Sequence, residues 1–149
     1  MNQAQIRSIY SLVIWGIVAL VFCGVFFLWG GPESFAGDSI RILITAFDFG
    51  FGFLGYVLMH LLTHKKPGAT VMLQDERDHE IARRANGTTL VSVLAFIYIL
   101  SMVLFTRFQG LGELPVGWLW FFAYFTSCLG YIMHAATTLF LYKEMSGHV

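Results

Sequence analysis

Charge is what this sequence has least of. Only 12% of its 149 residues are Asp, Glu, Lys or Arg, where a soluble domain carries about 25%. Acids and bases balance at a net charge of +0, so no acidic or basic tail offers itself to a nucleic acid. Cysteine is limited to two residues, Cys23 and Cys128. Both fall inside apolar stretches, which excludes a disulfide framework and leaves them as small core residues. Proline occurs three times, outside every long apolar run. No small-residue cleavage site follows the first apolar stretch, so that stretch reads as a retained span and not as a removed signal. No nucleophile, nucleotide or phosphate motif is present. The Gly-x-Gly of Gly50–Gly52 has no strand before it and reads as helix packing.

What is present in excess is apolar surface. Hydrophobic residues make up 57% of the chain and aromatics 17%. A chain this short cannot bury so much inside itself, because small domains leave a large share of their surface exposed. The surplus must face lipid. Four stretches approach the roughly 20 residues that a helix needs to cross a bilayer: 9–29, 40–62, 88–105 and 116–141. Helices of that length cannot be barrel strands. The expected fold is all-α, a single integral membrane domain built as a four-helix bundle.

The loops orient it. Gly30-Gly31-Pro32 breaks the chain after span one, and Phe108–Pro115 does so after span three. That side holds Arg41 and Arg107. The opposite side holds Arg7, Lys65, Lys66, Arg77, Arg83, Arg84 and Lys143. The positive-inside rule therefore puts both termini and the central connection in the cytoplasm, with Trp29, Trp118 and Trp120 near the outer interface. The expected location is a bacterial inner membrane.

Leu54-Gly55-Tyr56-Val57-Leu58-Met59-His60 in span two is echoed, one residue shorter, by Leu129-Gly130-Tyr131-Ile132-Met133-His134 in span four. If the echo is a duplication, two helical hairpins are related by an approximate twofold axis along the membrane normal, a device known from transporters.

The one dense run of charge is Gln74–Ala85, QDERDHEIARRA. Asp75 suits a helix N-cap, with acids in the first turn and Arg83 and Arg84 later, as the helix dipole prefers. Glu80 and Arg84 form an i,i+4 pair. The reading is a cytoplasmic helix over 76–87 that feeds span three, with a bend at Asn86-Gly87. Three roles stand open for its side chains: a self-paired anchor at the headgroups; a docking surface built from Asp75, Glu76, Arg77, Asp78 and Arg84; or a divalent-cation site from Glu76, His79 and Glu80 with His64. The last needs oxygens from a second segment, and none is identifiable, so no metal site is assigned.

The string DERDHEIARRA resembles the DERD-x-x-I-x-x-(R/K)-A signature of a family of small four-span bacterial inner-membrane proteins. The matching residues are Asp75, Glu76, Arg77, Asp78, Ile81, Arg84 and Ala85. The Gly-Tyr pair that follows the signature in that family is replaced by Asn86-Gly87-Thr88. The resemblance implies the four-span architecture and brings no activity with it.

Inside the spans, Asp48 lies near mid-bilayer, where a charge costs a few kcal/mol or more and must be neutral, paired or facing a cavity. It is a candidate proton or cation site, with a hydrogen-bonded packing residue as the plainer alternative. His60 and His134 sit on separate helices, towards the same side. Two such imidazoles can ligate a b-type haem. Counted from their flanking lysines, however, their depths differ by roughly 6 Å at the α-helical rise. A quinone near His134 and Asp48, with those two groups paired, is a further candidate. Function is therefore read first as a non-enzymatic membrane component that associates with itself or with another membrane protein. A small proton- or cation-coupled transporter using Asp48, and a haem- or quinone-binding electron carrier using His60 and His134, are the alternatives.

Overall fold

The computed structural model describes residues 3–63 and 76–146. It is all-helical. Helix α1 spans Gln3–Cys23 and widens into a π-helical turn at Gly24–Leu28. Helix α2 spans Ser39–Leu62, α3 Glu76–Phe108 and α4 Gly117–Ser146. All four are long and apolar enough to cross a membrane. The first two form one hairpin and the last two another. One end of the bundle carries the loops 29–38 and 109–116; the other carries the start of α1, the end of α2, the start of α3 and the end of α4. These are called the loop end and the termini end.

The helices are not placed symmetrically. The principal interfaces are α3 with α4, α1 with α4, and α1 with α2. The closest backbone approaches thus run α2–α1–α4–α3, with α1 and α4 in the middle, while side chains of α2 also reach α4. Burial follows that order. A third of the most apolar stretch of α1 is covered (33%), but only 6% of that of α3.

Aromatic residues build the core. Trp15, Phe22 and Phe26 on α1 are fully buried and meet Phe121, Tyr124 and Cys128 on α4. Phe22 stacks on Tyr124 with ring centroids 3.9 Å apart, and Trp15 stacks on Tyr131 at 4.3 Å. Flat rings stacked in parallel let two helices approach closely while burying large apolar areas. On the other side of α1, Gly52 provides the space for contact. A Cβ there would sit 2.7 Å from the Val18 Cγ2.

The turn after α1 depends on one buried cation. The π-helical turn shifts the hydrogen-bond ladder and leaves carbonyls at the helix end to be satisfied otherwise. Arg41, 1% exposed, does so. Its Nη2 donates to the carbonyls of Phe26 and Gly31, each at 2.9 Å, and Val25 accepts from Nη2 and Nε. Its Nη1 donates to Ser34 Oγ at 3.0 Å. A guanidinium is suited to this because it presents five donors in a rigid fork. Gly30 and Gly31, at φ +89° and +76°, make the left-handed turn that brings these carbonyls round. Asp38 caps α2 by accepting from the backbone N–H of Ile40 and Arg41.

The charged run folds as the foot of α3, which continues as α-helix through Asn86-Gly87. The expected bend there does not break the helix. Asp75, expected as the N-cap, lies outside the described residues with His64, Lys65 and Lys66, as do the side chains of Glu76 and Arg77.

Candidate functional site

Polar side chains connect α2 and α4 in a line down the membrane. Nearest the loop end, Trp120 Nε1 donates to Thr45 Oγ1 at 3.2 Å. A turn further, the Tyr124 hydroxyl donates to Asp48 Oδ2 at 2.7 Å. Deeper still, the rings of Tyr56 and Tyr131 meet with centroids 5.1 Å apart, both packed against Trp15. The hydrogen-bonded partners are 75 and 76 residues apart, and Tyr56 and Tyr131 share that offset. It is also the offset between the two copies of the Leu-Gly-Tyr echo. Equivalent residues therefore meet at the same depth, as a twofold axis between α2 and α4 requires. The glycines of the echo agree. A Cβ on Gly55 would touch Ile14 of α1 at 3.6 Å, and one on Gly130 would touch Val93 of α3 at 3.9 Å. Each thus faces the first helix of its own hairpin. The symmetry is incomplete, because among the described residues α2 and α3 form no principal interface to match that of α1 with α4.

Asp48 is therefore partnered, and by a residue that the sequence did not single out. Tyr124 is almost fully buried between Phe22 and Phe49, so its hydroxyl is held where it is. Asp48 is only half-buried. The expected pairing of Asp48 with His134 is not formed. His134 lies ten residues below Tyr124 on α4, roughly 15 Å away along the axis.

The two histidines are nearly level, contrary to the depth counted from flanking lysines. Tyr56 and Tyr131 fix the register, and His60 and His134 lie four and three residues beyond them. Both are exposed on the surface of the described bundle. His60 packs on Tyr56 with ring centroids 4.7 Å apart. Among the described residues no group of three His, Cys, Asp or Glu side chains is placed to hold a metal ion.

The charged foot of α3 has two faces. Inward, Asp78 Oδ1 accepts from the Tyr142 hydroxyl at 2.6 Å. Ile81 and Ala85 are buried at the same seam, Ile81 against Leu141 and Tyr142 of α4, with Ala4 of α1 alongside. The spacing from 78 to 81 to 85 is one stripe of an α-helix. Outward, Glu80 accepts from Arg84 at 2.7 Å and pairs with Arg83 at 2.6 Å. Both arginines are well exposed, so these pairs are worth little to stability. Across the same end, Arg7 donates from Nε and Nη2 to Thr63, 2.8 Å each, and ties α1 to the C-terminus of α2.

The family described as "Predicted membrane protein (DUF2178)" matches residues 7–145. No curated protein and no solved structure matches the chain. The match takes in all four helices, the line of polar contacts between α2 and α4, and the foot of α3. The chain belongs to this family of membrane proteins.

Proposed function

We propose that this protein is a non-enzymatic component of a bacterial inner membrane that works by lateral association, with both termini and the 63–76 connection in the cytoplasm. The observation that supports it is the exposure of α3. This helix is anchored along one side to α4, and its remaining length is uncovered. This helix joins the other three through α4, and only 6% of its most apolar stretch is covered. It extends a lateral face on which another membrane protein can pack. The orientation rests on the excess of Lys and Arg at the termini end. Docking at the foot falls to the outward side chains, Arg84 among them. Asp78 is engaged within the chain, so a soluble partner would read Glu80, Arg83 and Arg84.

The test is the assembly state in a bilayer. Single-molecule counting of labelled subunits in vesicles of phosphatidylcholine and phosphatidylglycerol should find species above one copy, or native-membrane extraction should bring down a stoichiometric second protein. Single copies throughout, with nothing co-extracted, would sink the reading.

A second reading is favoured by one specific contact, the hydrogen bond from Tyr124 to Asp48 within the hydrocarbon. A half-buried carboxyl held by a fixed phenol is a group that can take up and release a proton without moving the helices. On this reading the protein passes a proton or a cation through Asp48. Vesicles carrying the protein should then show a cation- or proton-dependent flux that Asp48→Asn abolishes; equal flux in the two proteins rules it out.

A further inference from the structure

Tyr98 is the largest exposed polar side chain in the apolar part of α3. Its side chain is 68% exposed. Among the described residues its hydroxyl has no hydrogen-bond partner. It sits near the middle of the stretch between Gly87 and Arg107, roughly 17 Å from the first and 14 Å from the second at the helical rise. That is too far for a phenol to reach the headgroups. A hydroxyl left bare in hydrocarbon is costly, and interhelical hydrogen bonds are the usual remedy.

The face around it is built for a helix. Val91, Leu94, Ala95, Tyr98, Met102 and Phe105 are all exposed. Val91, Tyr98 and Phe105 are spaced seven apart, with Leu94, Ala95 and Met102 at the intervening positions. This is the repeat of a left-handed helix pair. Ala95, beside Tyr98, lets backbones approach. The opposite side of α3 is already used: Phe96 packs on Phe125 of α4 with centroids 5.2 Å apart, and Leu104 is buried.

We propose that a second copy of this chain docks on this face, α3 against α3, with the two Tyr98 hydroxyls bonded to one another at a twofold axis along the membrane normal. Two copies inserted in the same direction can only be related by an axis along the normal. A group lying at that axis then meets its own equivalent at the same depth. A carboxylate or an ammonium would repel itself there. A hydroxyl is both donor and acceptor and satisfies itself. The proposal rests on the lateral-association reading and gives it an occupant and a register.

The experiment combines disulfide trapping with subunit counting in phosphatidylcholine–phosphatidylglycerol vesicles. On a background of Cys23→Ala and Cys128→Ala, single cysteines are placed by Leu94→Cys, Tyr98→Cys and Met102→Cys, and on the α4-facing side by Val93→Cys and Leu100→Cys. Dimers should be trapped by oxidation at 94, 98 and 102 and not at 93 or 100. In the otherwise native chain, Tyr98→Phe, which keeps the ring and removes the hydroxyl, should weaken association about threefold to tenfold. A dimer that counts as two copies but is trapped at none of the α3 positions overturns this proposal and leaves lateral association standing. Single copies at every protein-to-lipid ratio overturn both. Trapping along α3 with Tyr98→Phe as strong as the parent overturns the hydroxyl pairing.

Discussion

The Tyr142 hydroxyl near the end of α4 donates a 2.6 Å hydrogen bond to Asp78 at the foot of α3. This bond joins the most charged stretch of the chain to its last helix, beside the fully buried Ile81. A hydrogen bond to a charged acceptor is worth roughly 1.5–3 kcal/mol. Asp78→Ala and Tyr142→Phe should each destabilise the folded protein by about 1–2 kcal/mol in reversible unfolding from mixed micelles. The double variant should cost less than the two single ones together, because they share one contact. Arg83→Ala and Arg84→Ala, on the outward face, should shift the midpoint by less than about 1 kcal/mol. Equal losses on the two faces would contradict the division of the foot into an inner seam and an outer surface.

Arg41 makes a stronger prediction. Its guanidinium serves the carbonyls of Val25, Phe26 and Gly31 together with Ser34 Oγ. Each buried acceptor left without a donor costs about 1–3 kcal/mol. Arg41→Ala should therefore lose about 3 kcal/mol or more and open the 24–38 turn to protease. Arg41→Lys should recover only part of this, because an ammonium cannot hold three carbonyls in a fork. A lysine variant as stable as the parent would show that charge at the end of α1 matters and geometry does not.

Two glycines on α2 separate packing from propensity. A Cβ at Gly52 would lie 2.7 Å from Val18 Cγ2, while at Gly50 it would meet nothing within 4 Å. Val18 is β-branched on a helix and has no free rotamer to yield into. Gly52→Ala should push α1 and α2 apart and cost about 1–3 kcal/mol. Gly50→Ala should be neutral or stabilising by up to about 1 kcal/mol, since glycine is a poor helix former. Thermal unfolding of the two variants side by side reads the difference. A Gly52→Ala protein as stable as Gly50→Ala would mean that α1 and α2 do not pack through this contact.

The spans were legible because each is a long, predominantly apolar run, and composition alone forced them into lipid. The Glu80–Arg84 pair was legible because it depends only on helical spacing. Arg41 was not: in the sequence it is one loop-side charge among several. Its role comes from a π-helical turn that no local pattern announces. Tyr124 was hidden for a different reason. It sits among Phe121, Phe122 and Phe125, where one more aromatic carries no signal. A signal existed elsewhere. The offset of the Leu-Gly-Tyr echo, carried up the helices from Tyr56 to Asp48, points to residues 123–124. The inward phase of Asp78 could have been read from its spacing to Ile81 and Ala85. Charge density drew the reading outward instead.

Asp48 and Tyr124 allow chemistry and packing to be told apart. Asn at position 48 has the shape of Asp and keeps an oxygen that can accept from the Tyr124 hydroxyl. Asp48→Asn should therefore leave stability within about 1 kcal/mol of the parent while removing the only proton this carboxyl can exchange. Tyr124→Phe keeps the ring stacked on Phe22 at 3.9 Å but strips the carboxyl of its donor. In a low-dielectric setting that loss should cost about 1–3 kcal/mol. Adding Asp48→Asn to Tyr124→Phe should restore part of it, because a neutral amide is cheaper to leave without that donor than a carboxylate. If Asp48 serves as a proton site, flux disappears in Asp48→Asn although the protein is as stable as the parent. If Asp48 serves only in packing, the two hydrogen-bond variants differ in stability and no other property follows position 48. A destabilised Asp48→Asn protein would show that the carboxylate itself, and not its shape, holds α2 to α4.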